Sequence, residues 1–162
     1  MKIICDTDII SSLAKIKELK ILDEIFQKPE LFISLAVYEE LEKAKEIGYD
    51  FPNMIFKKFE VISMVEEEVE EYKGLISNKR DLDKGELQSI VISRSRDLIF
   101  LTNDKLARKK CKQETIKTYN LAEILRASYL GNLRSKSDIE EIIKSLREKD
   151  NFVFSKETDL YQ

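Results

Sequence analysis

Two aspartates, Asp6 and Asp8, follow at once on the apolar run Ile3-Ile4-Cys5, and a third, Asp104, follows the apolar run at 98–102. Two glutamates stand on segments of helical spacing. Glu40 neighbours Ala36, Val37 and Ala44 at spacings of three and four, so it leans toward the core, whereas Glu39 shares its side with Lys43. Glu86 lies one turn before Ile90 and shares its inward face. Carboxylates buried together repel one another and are costly without a partner. A hard divalent cation reverses that balance. Mg²⁺ or Mn²⁺ prefers carboxylate and water oxygens and acts on phosphate oxygens, so metal-assisted phosphoester hydrolysis is the chemistry these residue types could do.

Composition narrows the choice further. The chain has no histidine, which removes imidazole metal sites, histidine triads and histidine acid–base catalysis. Cys5 and Cys111 are the only cysteines and form no CxxC pair, so both read as small buried hydrophobes. A net charge of -3 speaks against a broadly basic surface but admits an acidic pocket beside a basic stripe. Such a stripe is present: Lys105, Arg108, Lys109 and Lys112 repeat at helical spacing directly after Asp104, with Arg94 and Arg96 as an extension. The alternative is a solvated helix face.

With 162 residues the chain is expected to form one domain over 1–150 and a tail over 151–162. That tail carries Phe152, Val153, Phe154 and Tyr161, and is expected to dock on the domain or on a second subunit. No apolar stretch has membrane-spanning length and the first residues lack a secretory pattern, so a cytoplasmic protein with no membrane partner is expected.

To position these acids, short Ile-, Val- and Phe-rich runs alternate with helical patterns. Strands are predicted at 2–5, 31–34, 59–64, 98–102 and 115–119. Helices are predicted at 9–27 (divisible at Lys17 to Lys20), 36–47, 66–77, 84–96, 105–111, 121–130 and 138–149. This pattern predicts an α/β fold, a three-layer α/β/α sandwich with a mostly parallel central sheet. Ligands of such sheets sit beyond the carboxyl ends of the strands, which brings Asp6 and Asp104 to one edge. Capping is the blander role for the same residues. Asp6 or Asp8 could cap the first helix, and Thr102, Asn103 or Asp104 the helix after them. Asp83 with Glu86 has capping-box spacing, as does Ser137 with Glu140 in a region without chemistry.

Taken together, the motifs resemble those of the PIN-domain nucleases, within the small prokaryotic group related to VapC-type toxins. "IICDTDIISSLAKI", "ISLAVYEEL", "LDKGELQSIVIS" and "LIFLTNDKLARK" are similar to the family's four motifs in order, and "LAEILRASYLGNL" to its closing helix. The resemblance implies an acidic quartet of Asp6, Glu40, Glu86 and Asp104 that binds Mg²⁺ or Mn²⁺ for endonucleolytic cleavage of RNA. It also implies Asp83 as an accessory ligand, Thr102 as a residue that orients the site by hydrogen bonding, and the basic stripe as the RNA contact. An antitoxin partner and a homodimer belong to the same expectation. Members commonly carry Asp at the third position, so the principal third ligand stays open between Asp83 and Glu86. Two other functions are compatible with the residues. One is a catalytically silent PIN fold that binds RNA or assembles with a partner. The other is a haloacid-dehalogenase-type phosphatase, in which Asp6 would be the nucleophile and Asp8 the general acid.

Overall fold

β1 (Lys2–Cys5), β2 (Glu30–Ser34), β3 (Glu60–Ile62), β4 (Ile99–Leu101) and β5 (Thr118–Tyr119) form one parallel sheet in the order β3-β2-β1-β4-β5. The computed structural model describes residues 1–78 and 81–162. A strand buried on both faces must be apolar where it is buried, and residues 3–5 of β1, 31–33 of β2 and 99–101 of β4 are. Their alternate residues feed two cores. Ile3, Cys5, Leu31, Ile33 and Leu101 face one, and Ile4, Phe32 and Phe100 face the other.

On the first face lie α1 (Thr7–Lys15), α2 (Ile21–Phe26), α3 (Leu35–Glu46) and α4 (Pro52–Lys58), together with α8 (Leu121–Leu130) and α9 (Lys136–Asp150). Ile9, Ile10, Leu13, Leu41, Ile124 and Leu146 are among the residues they bury there. The second core takes Ile90 and Ile92 from α6 (Lys84–Arg96) and Ala107 and Cys111 from α7 (Lys105–Gln113); α5 (Glu66–Asn78) packs beside α6. The predicted α/β sandwich is therefore the observed fold, with a sheet that is wholly parallel. In the tail, Leu160 enters the first core and Phe152, Phe154 and Tyr161 pack against it. No helix among the described residues is long and apolar enough to cross a membrane.

The first helix divides within the stretch where the sequence allowed it, because Lys17 turns into the left-handed region at φ 61° and the Glu18 amide closes back on Leu13. Other boundaries depart from the sequence expectation. β3 is confined to 60–62 rather than 59–64. β5 starts late because Thr115 has φ 58° and the Ile116 amide still bonds the end of α7 at Cys111. α9 starts two residues earlier than the pattern suggested, since its capping box is Ser135 with Asp138 and not Ser137 with Glu140. α4 was not expected at all, although Pro52 at its first position is a start signal.

The connections leave β1 in opposite senses, toward β2 and β3 on one side and toward β4 and β5 on the other. The sheet thus has its topological switch point between β1 and β4. Asp6 and Asp104 follow those two strands.

Candidate functional site

Asp6 is the residue between β1 and α1. Its amide donates to the Leu101 carbonyl at 2.9 Å, which continues the β1–β4 pairing by one step, and its own backbone is extended. The side chain then caps α1: Oδ1 accepts from the Thr7 amide at 2.8 Å. Asp6 Oδ2 accepts from the Thr102 hydroxyl at 3.1 Å, and that hydroxyl in turn accepts from the Asp104 amide at 3.1 Å. Thr102 is wholly buried and Asp6 is only 4% exposed. One hydroxyl therefore ties the two strand-end aspartates together, the geometry of the orienting role implied for Thr102. Asp104 caps α7, its Oδ1 accepting from the Ala107 amide at 2.6 Å.

The glutamates arrive from helices. Ser34 at the end of β2 caps α3, and Glu40 one turn further on reaches back so that Oε2 accepts from the Thr7 hydroxyl. Glu39 is exposed and Glu40 half-buried, as their neighbours in sequence predict. Asp83 and Glu86 form the reciprocal capping box at the start of α6, with 2.8 and 3.0 Å bonds. Asp6, Asp83, Glu86 and Asp104 thus each hold a helix N-terminus, where amides and the helix dipole favour negative charge, whereas Glu40 is held by the Thr7 hydroxyl. Capping and clustering are the same geometry here, not competing explanations.

Charge repulsion shows in the titration behaviour. Burial, with Glu86 next and then Asp8 and Asp83, raises Asp6 to about 8. Burial, then Asp83, Asp104 and Asp8, raises Glu86 to about 7 against the stabilising bond from the Asp83 amide. Glu40 is raised by desolvation and by Asp83 and Asp8, and the Thr7 hydroxyl opposes this. Asp8 is exposed, yet desolvation, Asp83 and Asp150 raise it while Lys15 lowers it.

Sequence reasoning missed Thr7, which bridges Asp6 to Glu40 through its amide and hydroxyl, and it read Asp8 only as a helix cap or, in the phosphatase alternative, as a general acid. The available signal was the unbroken "DTD" at a helix start.

Glycine brings the third motif in. A Cβ at Gly85 would stand 3.1 Å from Val37 Cγ2, 3.4 Å from Asp83 Oδ1 and 3.7 Å from Glu40 Oε1. The missing side chain lets α6 approach α3 closely, and the Gln88 side chain stitches the contact by accepting from the Ala36 amide at 3.0 Å. Gly85→Val is expected to force the helices apart and lower unfolding free energy by about 1–3 kcal/mol, the usual range for overpacking. Urea denaturation measures it, and an unchanged midpoint would rule out the tight approach.

The basic stripe is only partly available. Lys105, Lys109 and Lys112 are exposed. Arg108 is held by Glu123, its Nη2 donating to both carboxylate oxygens at 2.9 and 3.0 Å. Arg94 pairs with Glu71 and Glu114, and Arg96 donates to Glu68 and to the Ser63 carbonyl, so these two serve the α5–α6 packing and do not extend the stripe.

Among the described residues no three donors stand close enough to enclose a metal ion as they are. The donor set nevertheless fits a hard divalent cation: the facing groups are carboxylates, and no ion pair among the described residues engages Asp6, Glu40, Asp83, Glu86 or Asp104.

The sequence matches the family profile described as a PIN domain over residues 2–160. Solved structures of similar fold include VapBC-1 of nontypeable Haemophilus influenzae, with a TM-score of 0.58 and 17% identity, covering 74% of this chain and 98% of that one. VapBC2 of Rickettsia felis, bound to a DNA fragment from their promoter, gives 0.56 and 16% over the same shares. A PilT N-terminus domain protein of the hyperthermophilic archaeon Sulfolobus solfataricus gives 0.53 and 15%, covering 79% of this chain and 93% of that one. No curated protein matches the sequence.

Proposed function

The chain belongs to the PIN-domain family, and from that premise we propose that it is a Mg²⁺- or Mn²⁺-dependent endoribonuclease hydrolysing phosphodiester bonds at the carboxylate cluster. The observation that supports this most is the meeting of Asp6, Glu40, Glu86 and Asp104 at one sheet edge, with Asp83 beside them and no ion-paired cation among the described residues. Bound there, Mg²⁺ or Mn²⁺ supplies a Lewis acid toward phosphate oxygens and the attacking water.

The chain's own residues set the frame for that chemistry. Thr102 fixes Asp6 relative to Asp104, and Thr7 fixes Asp6 relative to Glu40. Repulsion from Glu86 on buried Asp6 is larger than that from Asp83, which supports Glu86 as the principal third ligand with Asp83 as accessory. The family membership takes the place of the phosphatase reading.

For RNA, the exposed Lys105, Lys109 and Lys112 lie on the helix that Asp104 caps, and hold backbone phosphates. Lys109→Ala with Lys112→Ala is expected to weaken single-stranded RNA binding and to make the log–log salt slope shallower by about 1.4, at roughly 0.7 per phosphate contact. Anisotropy titrations over a salt series measure this, and an unchanged slope removes the stripe from the RNA path. Arg108, spent on Glu123, contributes less.

The likeness in fold to VapBC-1 and VapBC2 supports reading the chain as the toxin of a pair whose antitoxin covers the acidic pocket. We place it in the cytoplasm as a homodimer, for which exposed Tyr119, Leu130 and Leu133 supply apolar surface. The test of the function is Mn²⁺-dependent cleavage of a mixed panel of structured and single-stranded RNAs. RNA binding with no cleavage of any of them would favour a silent PIN fold.

A further inference from the structure

A cavity of about 500 Å³ opens beside the carboxylate cluster, between the end of α3, the start of α4 and the end of α9. It is connected to the cluster along α1. Asp8, Ser12 and Lys15 recur at helical spacing on that helix; Asp150 accepts from the Ser12 hydroxyl, one turn from Asp8, and pairs with Lys15 at 2.5 Å. The cavity therefore lies along the helix that Asp6 caps, its Lys15 wall about 14 Å from Asp6 at about 1.5 Å per residue.

Its lining has an unusual balance. Lys15 and Lys149 are matched by Asp50 and Asp150, so it presents no net positive field for a phosphate. Ring surface is what it does present. Tyr49 is 54% exposed, in a turn allowed by Gly48 at φ 105°, and its amide donates to the Ala44 carbonyl at 3.1 Å. The Tyr49 ring rests on Phe51 at a centroid distance of 5.7 Å, and Lys15 Nζ sits 5.2 Å from the centroid of Phe51. Tyr49 thus presents exposed ring surface, its plane tilted by 55° to that of Phe51. Asp50 and Asn151 stand at the rim with acceptor and donor groups suited to the edge of a base.

We propose that this cavity is a subsite for one unpaired nucleobase of the RNA, stacked on Tyr49, next to the phosphodiester held at the carboxylate cluster. This rests on the nuclease reading for the identity of the ligand as RNA. Stacking on an aromatic face is tolerant of sequence and requires an unpaired base, so the subsite selects single-stranded or looped RNA over duplex.

Anisotropy of a short fluorescein-labelled unstructured RNA, titrated with the full chain in EDTA, tests this without cleavage. Tyr49→Ala is expected to weaken binding about tenfold and Tyr49→Phe to retain it, because the ring and not the hydroxyl provides the platform. A duplex of the same sequence should be insensitive to both changes. Circular dichroism melts of the half-exposed variant check its folding. Binding of the unstructured RNA by Tyr49→Ala within about twofold of wild type overturns the subsite, as does failure of the wild type to bind it. Wild-type cleavage in Mn²⁺ is scored separately. Cleavage with Tyr49-independent binding overturns the subsite alone, whereas Tyr49-dependent binding without cleavage supports the subsite and overturns the nuclease reading.

Discussion

Asp6→Asn and Asp104→Asn are each expected to abolish Mn²⁺-dependent RNA cleavage, by a factor on the order of 10²–10³ or more, the scale for removing one electrostatic contact to the reacting phosphate. Both changes keep volume and capping ability. An asparagine oxygen at position 6 can still accept from the Thr7 amide, and its amide group can donate to the Thr102 hydroxyl in place of the bond seen now. What disappears is the charge. Because burial and repulsion from Glu86 raise Asp6 to about 8, removing its ionisable group is expected to stabilise the metal-free protein above about pH 8, where the buried carboxyl would otherwise ionise. Activity and stability should therefore move in opposite directions, which separates a catalytic loss from misfolding. Undiminished cleavage in both variants would place the reaction elsewhere or in a contaminant.

The same arrangement explains how much of the site could be read from sequence. Asp6 and Asp104 were legible because an acid after an apolar strand must emerge at the carboxyl edge of a parallel sheet, whatever its other duties. Glu40 was legible from its apolar neighbours at three and four residues. What pairing pattern and periodicity do not encode is approach in space. Thr7 touching Glu40 across 33 positions and Gly85 admitting α6 against α3 are products of the assembled sandwich. Arg108 shows the opposite error: helical spacing placed it with the lysines, but the capping box of Asn120 and Glu123 at α8 puts a carboxylate in its reach. Elements with a strong apolar signature came out well. β3, with three residues at the sheet border, and α4, a single short helix after an aromatic turn, depend on neighbours for their existence.

Stability should report the cluster without any substrate. Asp6 and Glu86, raised to about 8 and about 7, bind more protons in the folded chain than at their ordinary values of 3.8 and 4.5 in the unfolded one. The sign follows by linkage: their contribution is fully present below the unfolded values and is lost as pH rises through about 7 and 8. Metal-free protein is thus expected to melt higher at about pH 5.5 than at about pH 8.5. The absence of histidine simplifies the experiment, since the side chain that most often titrates near neutrality is missing. A divalent cation should reverse the trend, because it favours the ionised carboxylates that protons otherwise neutralise. At about a hundredfold excess over its dissociation constant, Mn²⁺ is worth about 2.7 kcal/mol, a rise of roughly 5–10 °C in Tm for a chain of this size. Scanning calorimetry at both pH values, with EDTA and with Mn²⁺, measures both effects. The Mn²⁺ shift should be large at the higher pH, small at the lower one and lost in Asp6→Asn. A Tm that ignores pH across this interval, or a Mn²⁺ shift that survives Asp6→Asn, would mean that these carboxylates do not share one site.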